Sequence, residues 1–192
     1  AMRNEPLRDM FENINKIVHG TLDTSIAPPE VDCEGKHILR PIHVLDIGNC
    51  IGNNVVVGGV RRTAEIFLCE PDDYEVIFAK YGINGLHDYE RHLKIGEQLD
   101  AMGIKPSWWS NDIALKQRTH LKHRYMSNNS ILFESKPSEE LFNLLFDMMR
   151  HEGEPAFVNL ESAKRRRPNA KGVNPCGEVL LDSNGVCNRS EE

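Results

Sequence analysis

The sequence predicts an α/β protein with parallel strands. Segments with helical spacing of apolar residues alternate with short apolar runs of strand length along the 192 residues, and glycines bound several of these segments. Such alternation is typical of strands joined by helical crossovers. The composition, 40% hydrophobic and 27% charged, is that of an ordinary globular protein whose length suffices for a buried core. The pattern does not choose between an open sheet and a barrel.

The first half of the chain is predicted to contain helices at 6–19, 43–53, 72–80 and 87–101. The first of these starts with Pro6, which suits a first helical turn, and stops before Gly20. The run Val55–Val57 predicts a buried strand that ends at a glycine pair. A further strand is expected at 64–68, whereas 104–123 shows no clear pattern.

The second half is predicted to contain strands at 130–133 and 156–160 with an amphipathic helix, 138–150, between them. Ser138 is the expected cap of that helix. From residue 164 onward the chain is rich in Arg, Asn, Gly and Ser. We expect it to form loops around two short apolar pieces, with the basic run 164–167 in a solvated loop.

Composition and charge exclude several classes of function. A net charge of −6 disfavours direct nucleic-acid binding, which requires a basic face. No apolar run reaches the roughly 18 residues of a membrane span, and the N-terminus lacks the apolar stretch of a signal peptide. The five cysteines form no Cys-x-x-Cys pair, and no carboxylate or cysteine completes a zinc set with His120 and His123. We therefore expect a cytoplasmic protein in a reducing compartment, without a metal site.

One cysteine lies on a constrained turn, within Asn174-Pro175-Cys176-Gly177-Glu178. Proline and glycine on either side hold the sulfur of Cys176 in place better than a mobile loop would. The carboxylate of Glu178 follows within two residues. From the residues alone, the segment is either a small buried thiol beside an exposed carboxylate or a positioned reactive sulfur.

Two further segments carry candidate binding residues. Gly58 and Gly59 allow close approach to a ligand, and Arg61 and Arg62 can clamp a phosphate or stack on a base. The alternative there is a glycine-rich turn with two solvated arginines. The polar segment Ser127-Asn128-Asn129-Ser130 precedes a predicted strand, and it is either a polar turn or part of a ligand pocket.

Four segments, in this order, resemble the class II, adenosylcobalamin-dependent ribonucleotide reductases, especially the monomeric ribonucleoside-triphosphate type. They are 57–66, 127–130, 153–160, and 174–179 followed by Cys187-Asn188. The resemblance implies a ten-stranded α/β barrel with a central finger loop. Residues 1–192 would form one partial catalytic domain, with a nucleotide specificity loop near 57–64 and the finger loop near 172–188.

The resemblance also implies roles for the residues of the finger loop. Cys176 would become a thiyl radical and take the 3′ hydrogen of a ribonucleotide. Glu178 would act as general base on the 3′-hydroxyl, and Asn174 would bind the ribose hydroxyls. Cys187 would be a reductant that forms a disulfide with a second cysteine outside this chain. The alternative for Cys187 is a free surface thiol, and Cys33, Cys50 and Cys69 are expected to be unreactive, partly buried thiols.

By the same resemblance, Gly58, Gly59, Arg61 and Arg62 form the loop between effector and substrate, and Ser127, Asn128 and Asn129 surround the substrate pocket. The implied cofactor is adenosylcobalamin. The implied partners are a ribonucleotide substrate, a deoxynucleotide effector, a thioredoxin-like reductant and the remaining polypeptide of the reductase.

The early strand with the second cysteine and the later strands have no counterpart here. We therefore expect part of a larger or split enzyme, or a reduced relative. The alternative functions are a non-catalytic nucleotide-binding or assembly fragment and, with less support, a glycyl-radical enzyme on the same barrel.

Overall fold

The computed structural model describes residues 5–57, 60–61, 64–86, 88–112 and 117–187, and these form an α/β protein, as predicted. The chain divides into two compact units. Unit 1 comprises Ala1–Thr63 and Asp72–Met126, and unit 2 comprises Ala64–Pro71 and Ser127–Glu192. Unit 1 is mainly helical, whereas unit 2 holds the parallel strands.

The helices of unit 1 are α1 (Glu5–Val18), α2 (Pro41–Asn53), α3 (Tyr74–Ile77), α4 (Tyr89–Ala101) and a 3-10 helix (Thr119–Met126). Helix α1 ends as predicted, because Gly20 adopts a φ of +66° where a Cβ would lie 2.4 Å from Cβ of Pro28. Two short antiparallel pairs join β1 (Glu30–Val31) to β2 (His37–Ile38) and β3 (Val56–Val57) to β4 (Val60–Arg61).

One prediction for unit 1 is wrong, and one is confirmed in part. The helix expected over 72–80 is confined to Tyr74–Ile77, since the following buried residues form successive turns with backbone bonds such as Tyr81 N–H to Phe78 O (2.9 Å). The strand expected at 55–57 is present as β3, which pairs with β4, whereas Val55 is exposed and lies outside it.

A buried ion network joins α2 to the 3-10 helix. The guanidinium of Arg124 is fully buried and donates to both carboxylate oxygens of Asp46, at 2.7 and 2.8 Å. It also donates to Asp23 (3.0 Å) and to the carbonyl of Ala79 (2.9 Å), and Nε2 of His123 lies 2.8 Å from Asp46. These bonds compensate the desolvation of the charges, so the network depends on all of its partners.

The network predicts a loss of stability in acid. Burial raises the pKa of Asp46, but the hydrogen bonds and charges of Arg124 and His123 outweigh burial and lower that pKa to about 2. Because the folded pKa lies below the ordinary value of 3.8, the stabilisation is complete above about pH 4 and is lost as the pH falls towards 2. The carboxylate contributes about 2 kcal/mol. Urea unfolding between pH 5 and 2 measures this loss of stability. In Asp46→Asn, the free energy of unfolding is expected to be lower at pH 5 but to fall less between pH 5 and 2.

The sheet of unit 2 has three parallel strands in the order β5 (Glu65–Cys69), β6 (Ser127–Phe133) and β7 (Ala156–Asn159). Helix α5 (Glu139–Glu152) connects β6 to β7. The hydroxyl of Ser138 accepts a hydrogen bond from Leu141 N–H at its start, as predicted. Helix α6 (Leu160–Arg166) follows β7, and the antiparallel strands β8 (Gly172–Val173) and β9 (Leu180–Leu181) form a hairpin.

Two predictions for unit 2 are wrong as well. Strand β6 starts at Ser127 rather than at residue 130, because backbone pairing with β5 extends over the polar segment and outweighs its tendency to turn. The basic run lies largely in α6, which Asn159 caps through Ser162 N–H, rather than in a loop. Lys164 bonds Glu134, Arg165 bonds Glu161, and Arg167 bonds Asp182.

The β8–β9 hairpin packs closely against the sheet at Gly172. A Cβ at this position would lie 2.4 Å from Cδ1 of Leu68 on β5. Gly172→Ala is therefore expected to lower the free energy of unfolding by about 1 kcal/mol, because the terminal methyl of Leu68 must move aside. The matched control is Gly48→Ala in α2, where a Cβ meets no atom within 4 Å; it should raise stability by about 0.5–1 kcal/mol. Equal effects of the two substitutions in urea unfolding would contradict this packing.

Candidate functional site

A cavity of about 450 Å³ opens in unit 2 beside the β8–β9 turn. Its lining includes Asn128, Asn129, Ser130, Glu154, Pro175 and Cys176. The volume lies within the roughly 300–1,000 Å³ usual for small-molecule sites. Among the described residues that line it, Glu154 is the one charged side chain, and the remainder are polar or apolar. The cavity therefore suits an uncharged, hydroxyl-bearing group better than a phosphate.

Asn174, the first residue of the turn that carries Cys176, stabilises this turn by hydrogen bonds. The carbonyl of Asn174 accepts Gly177 N–H (2.8 Å), and its side-chain oxygen accepts Val179 N–H (2.9 Å). Asparagine, proline and glycine at these turn positions match the preferences of a type I turn. Gly177 has a φ of +78°, which favours glycine. The thiol of Cys176 is exposed at the tip of this turn and lines the cavity.

The structure also brings Cys187 to the same turn. Nδ2 of Asn174 lies 3.6 Å from Sγ of Cys187, within hydrogen-bonding reach of sulfur. Asn174 itself is 4% exposed and its amide is engaged at both ends by the protein. Glu178 is exposed and is not among the described residues that line the cavity. Asn174, Cys176 and Cys187 thus lie together, with Glu178 on the outer side of the turn.

The polar residues of β6 face different surroundings. Asn128 is exposed and donates through Nδ2 to the carbonyl of Pro175 (2.9 Å). Asn129 is buried, and its backbone N–H donates to Glu154 (3.1 Å). The hydroxyl of Ser127 donates to Oδ1 of Asn129 (2.9 Å), and Ser127 does not line the cavity as the structure describes it. Asn128 is therefore the member of this segment that reaches the cysteine turn.

Sequence reasoning missed Glu154. The sequence alone assigns no role of its own to the segment Gly153-Glu154-Pro155, yet the carboxylate of Glu154 lines the cavity and accepts the backbone N–H of Asn129 on β6. A carboxylate directly before a strand of a parallel sheet was the available signal. The partner, Asn129, is 25 residues away, so the contact needed the fold.

Only part of the proposed effector loop lies within the residues that the structure describes. Gly58, Gly59 and Arg62 lie outside the described residues, as does Asn188. Arg61 belongs to β4, where its backbone pairs with Val56. The roles expected for this loop therefore stay predictions.

The remaining cysteines differ in exposure. Cys50 and Cys69 are buried, as expected, and burial together with the charge of Asp46 raises the pKa of Cys50 to about 12. Cys33, which was expected to be partly buried, is exposed, because it lies in the turn between β1 and β2. Cys33 thus offers an exposed thiol outside the cavity as a control.

Comparison with known proteins finds similarity to one class of enzyme. The chain is 28% identical over 197 aligned residues to an adenosylcobalamin-dependent ribonucleoside-triphosphate reductase of Lacticaseibacillus paracasei. This alignment covers 97% of the chain. The reductase of that name from Lactobacillus acidophilus is also 28% identical with the same coverage, and the one from Lactobacillus leichmannii is 28% identical over 80% of the chain. The chain spans about a fifth of the length of these relatives.

No protein-family model matches the chain, and no solved structure does. Within the described residues, no helix is both long enough and apolar enough to cross a membrane.

Proposed function

We propose that this chain, which is similar over nearly all of its length to adenosylcobalamin-dependent ribonucleoside-triphosphate reductases, forms the radical-bearing part of such an enzyme. Its reaction would be the reduction of ribonucleotides, most directly triphosphates, to 2′-deoxyribonucleotides. The observation that carries the proposal is an exposed thiol, Cys176, on a hydrogen-bonded turn at the mouth of a cavity of nucleoside size. Cys187 lies at the same turn, as a reductant of that reaction requires.

The parallel sheet of unit 2 supports a place in a ten-stranded α/β barrel. Strands β5 and β7 are the outer strands of the three-stranded sheet. Strand edges are usually paired or covered in stable proteins, so strands from the remaining polypeptide would continue the sheet on either side. Residues 1–192 would then be one partial catalytic domain, with the β8–β9 hairpin as the central finger loop.

The site fits adenosylcobalamin only on its outer side. The cavity is too small for a corrin ring and suits a nucleoside instead. The exposure of Cys176 and Gly177 leaves the outer face of the turn open to a larger group, and these two residues would face the cofactor. The bound cofactor would supply a hydrogen-abstracting radical through homolysis of its cobalt–carbon bond.

The residues of this chain would then act in sequence. The Cys176 thiyl radical takes the 3′ hydrogen, so that an S–H bond forms and the C3′–H bond breaks. Glu178 would accept the proton of the 3′-hydroxyl, for which its side chain would turn from the outer side of the turn towards the cavity, as the 2′-hydroxyl takes a proton from the cysteine pair and leaves as water. Cys187 and the second cysteine supply two electrons and two protons, one proton for the departing water and one for C2′, and become a disulfide. Cys176 then returns its hydrogen to C3′, and Glu178 returns its proton to O3′. Rigid placement of Cys176 contributes to the rate because the reacting atoms must lie about 3–3.5 Å apart.

The proposed partners follow from the same reaction. A thioredoxin-like reductant would reduce the disulfide of Cys187 by thiol–disulfide exchange and so restore the two thiols. A deoxynucleotide effector would bind near the loop with Gly58, Gly59, Arg61 and Arg62, whose guanidinium groups suit phosphate. The absence of cationic side chains among the described cavity residues supports binding of the substrate phosphates by the remaining polypeptide. A cytoplasmic location would provide the reducing compartment that this cycle needs.

The test is a segment replacement. This chain replaces the aligned segment of the Lacticaseibacillus paracasei reductase, and deoxynucleotide formation from ribonucleoside triphosphates is measured with adenosylcobalamin and dithiothreitol. The matched control lacks the segment. We expect product from the hybrid and none from the control. A folded hybrid that binds nucleotide without forming product would contradict catalysis and support the binding or assembly fragment. If the hybrid does not fold, product formation by this chain together with separate flanking segments of the relative decides the question.

A further inference from the structure

Asn128 joins the parallel sheet to the turn that carries Cys176. Its Nδ2 donates to the carbonyl oxygen of Pro175 at 2.9 Å, across 47 residues of sequence. We propose that Asn128 is a positioning residue, which fixes the orientation of the Cys176 thiol over the cavity without contacting the reacting atoms itself. This inference rests on the proposed function, since it concerns the hydrogen transfer by Cys176.

The accepting carbonyl belongs to the peptide bond between Pro175 and Cys176. The tilt of that peptide plane helps to set the direction of the bond from Cα to the side chain of Cys176. The proline ring fixes φ of Pro175 but not ψ, so the bond from Asn128 restrains the rotation that the ring leaves free. The bonds that Asn174 makes to Gly177 and Val179 hold the turn together internally. They do not fix the turn against the sheet, which is what the bond from Asn128 does.

The position of Asn128 suits this purpose. It lies on β6, the central strand of the three-stranded sheet, between β5 and β7. The backbone of Asn128 pairs with Ile66 in the parallel register, while its neighbour Asn129 is tied to Glu154. An amide on a paired strand offers a rigid anchor, whereas an amide on a loop would move with the turn. The side chain is exposed and lines the cavity beside the cysteine turn.

Substitutions of Asn128 separate the effect of losing the hydrogen-bond donor from the effect of changing the size of the side chain. Asn128→Asp keeps the size but cannot donate to the Pro175 carbonyl when ionised. In the hybrid reductase we expect kcat to fall about 10- to 100-fold for Asn128→Asp and Asn128→Ala, because a displacement near 1 Å costs about that much, while KM stays within about twofold. Asn128→Gln, which retains the donor on a longer arm, is expected to recover part of kcat. The control is Asn143→Asp, at an exposed position of α5, which should leave both constants unchanged.

A second measurement does not require activity. Hydrogen exchange of the Gly177 and Val179 amides is followed by NMR in the 192-residue chain, because a turn released from the sheet should open more often and expose these two donors to water. We expect about 3- to 10-fold faster exchange in Asn128→Asp and no change in Asn143→Asp. Unchanged exchange in Asn128→Asp would overturn the proposal, and so would faster exchange with an undiminished kcat. Absence of product from the unsubstituted hybrid contradicts the proposed function instead, and the exchange result then decides the Asn128 contact by itself.

Discussion

Substitution of Cys176 with alanine is expected to abolish deoxynucleotide formation by the hybrid reductase, with a loss of at least about a thousandfold. The expected loss is this large because no other described residue that lines the cavity carries a thiol, so hydrogen transfer from C3′ would have no acceptor. The fold should tolerate the change, since the side chain is exposed and the turn is held by Asn174 and Gly177. Rates of deoxynucleotide formation, measured beside unfolding curves, check both statements.

The matched control for this variant is Cys33→Ala. Cys33 is also exposed but lies in unit 1, in the turn between β1 and β2. Its substitution should leave the rate within about twofold of the unsubstituted hybrid. Comparable losses in the two variants would show that the effect of Cys176→Ala is not specific to the radical step.

Substitution of Arg124 with leucine is expected to lower the free energy of unfolding by about 3–5 kcal/mol. The guanidinium is completely buried and pairs with two carboxylates, those of Asp23 and Asp46, which would remain buried without a counter-charge. The carbonyl of Ala79 would lose its donor as well. Urea unfolding at pH 7 measures the loss, which should shrink at pH values low enough to protonate the carboxylates.

Arg8→Leu provides the control for the loss of an arginine. The ion pair of Arg8 with Glu12 is exposed on α1 and measures 3.7 Å, so solvent screens it. Its removal should cost no more than about 1 kcal/mol. A loss below about 1 kcal/mol for Arg124→Leu would contradict the account of the network, since a buried charge would then be tolerated without its partner.

Local patterns predicted much of the fold. The C-terminus of α1 could be predicted from Gly20, and the N-terminus of α5 from Ser138, because capping depends on residues within one turn of the helix. The parallel arrangement followed from the alternation of segments, and β5 to β7 show it. The start of β6 could not be predicted, since Ser127 to Asn129 become strand only through pairing with β5.

The candidate site divides in the same way. The turn around Cys176 was visible in the sequence because its proline, cysteine and glycine are adjacent. The bond from Asn128 to Pro175 and the bond from Glu154 to Asn129 join segments far apart in sequence, so they appear only in the folded chain. The buried network of Arg124 was missed for the same reason, since Asp46 lies 78 residues away.

The central claim is that the sulfur of Cys176 takes the 3′ hydrogen of a ribonucleotide. The most direct measurement compares, in the hybrid reductase, the rate of deoxynucleotide formation from ribonucleotide carrying hydrogen or deuterium at the 3′ carbon. The account predicts slower product formation from the deuterated substrate and no product from either substrate in Cys176→Ala. Product formation that persists in Cys176→Ala, at equal rates from the two substrates, would contradict it.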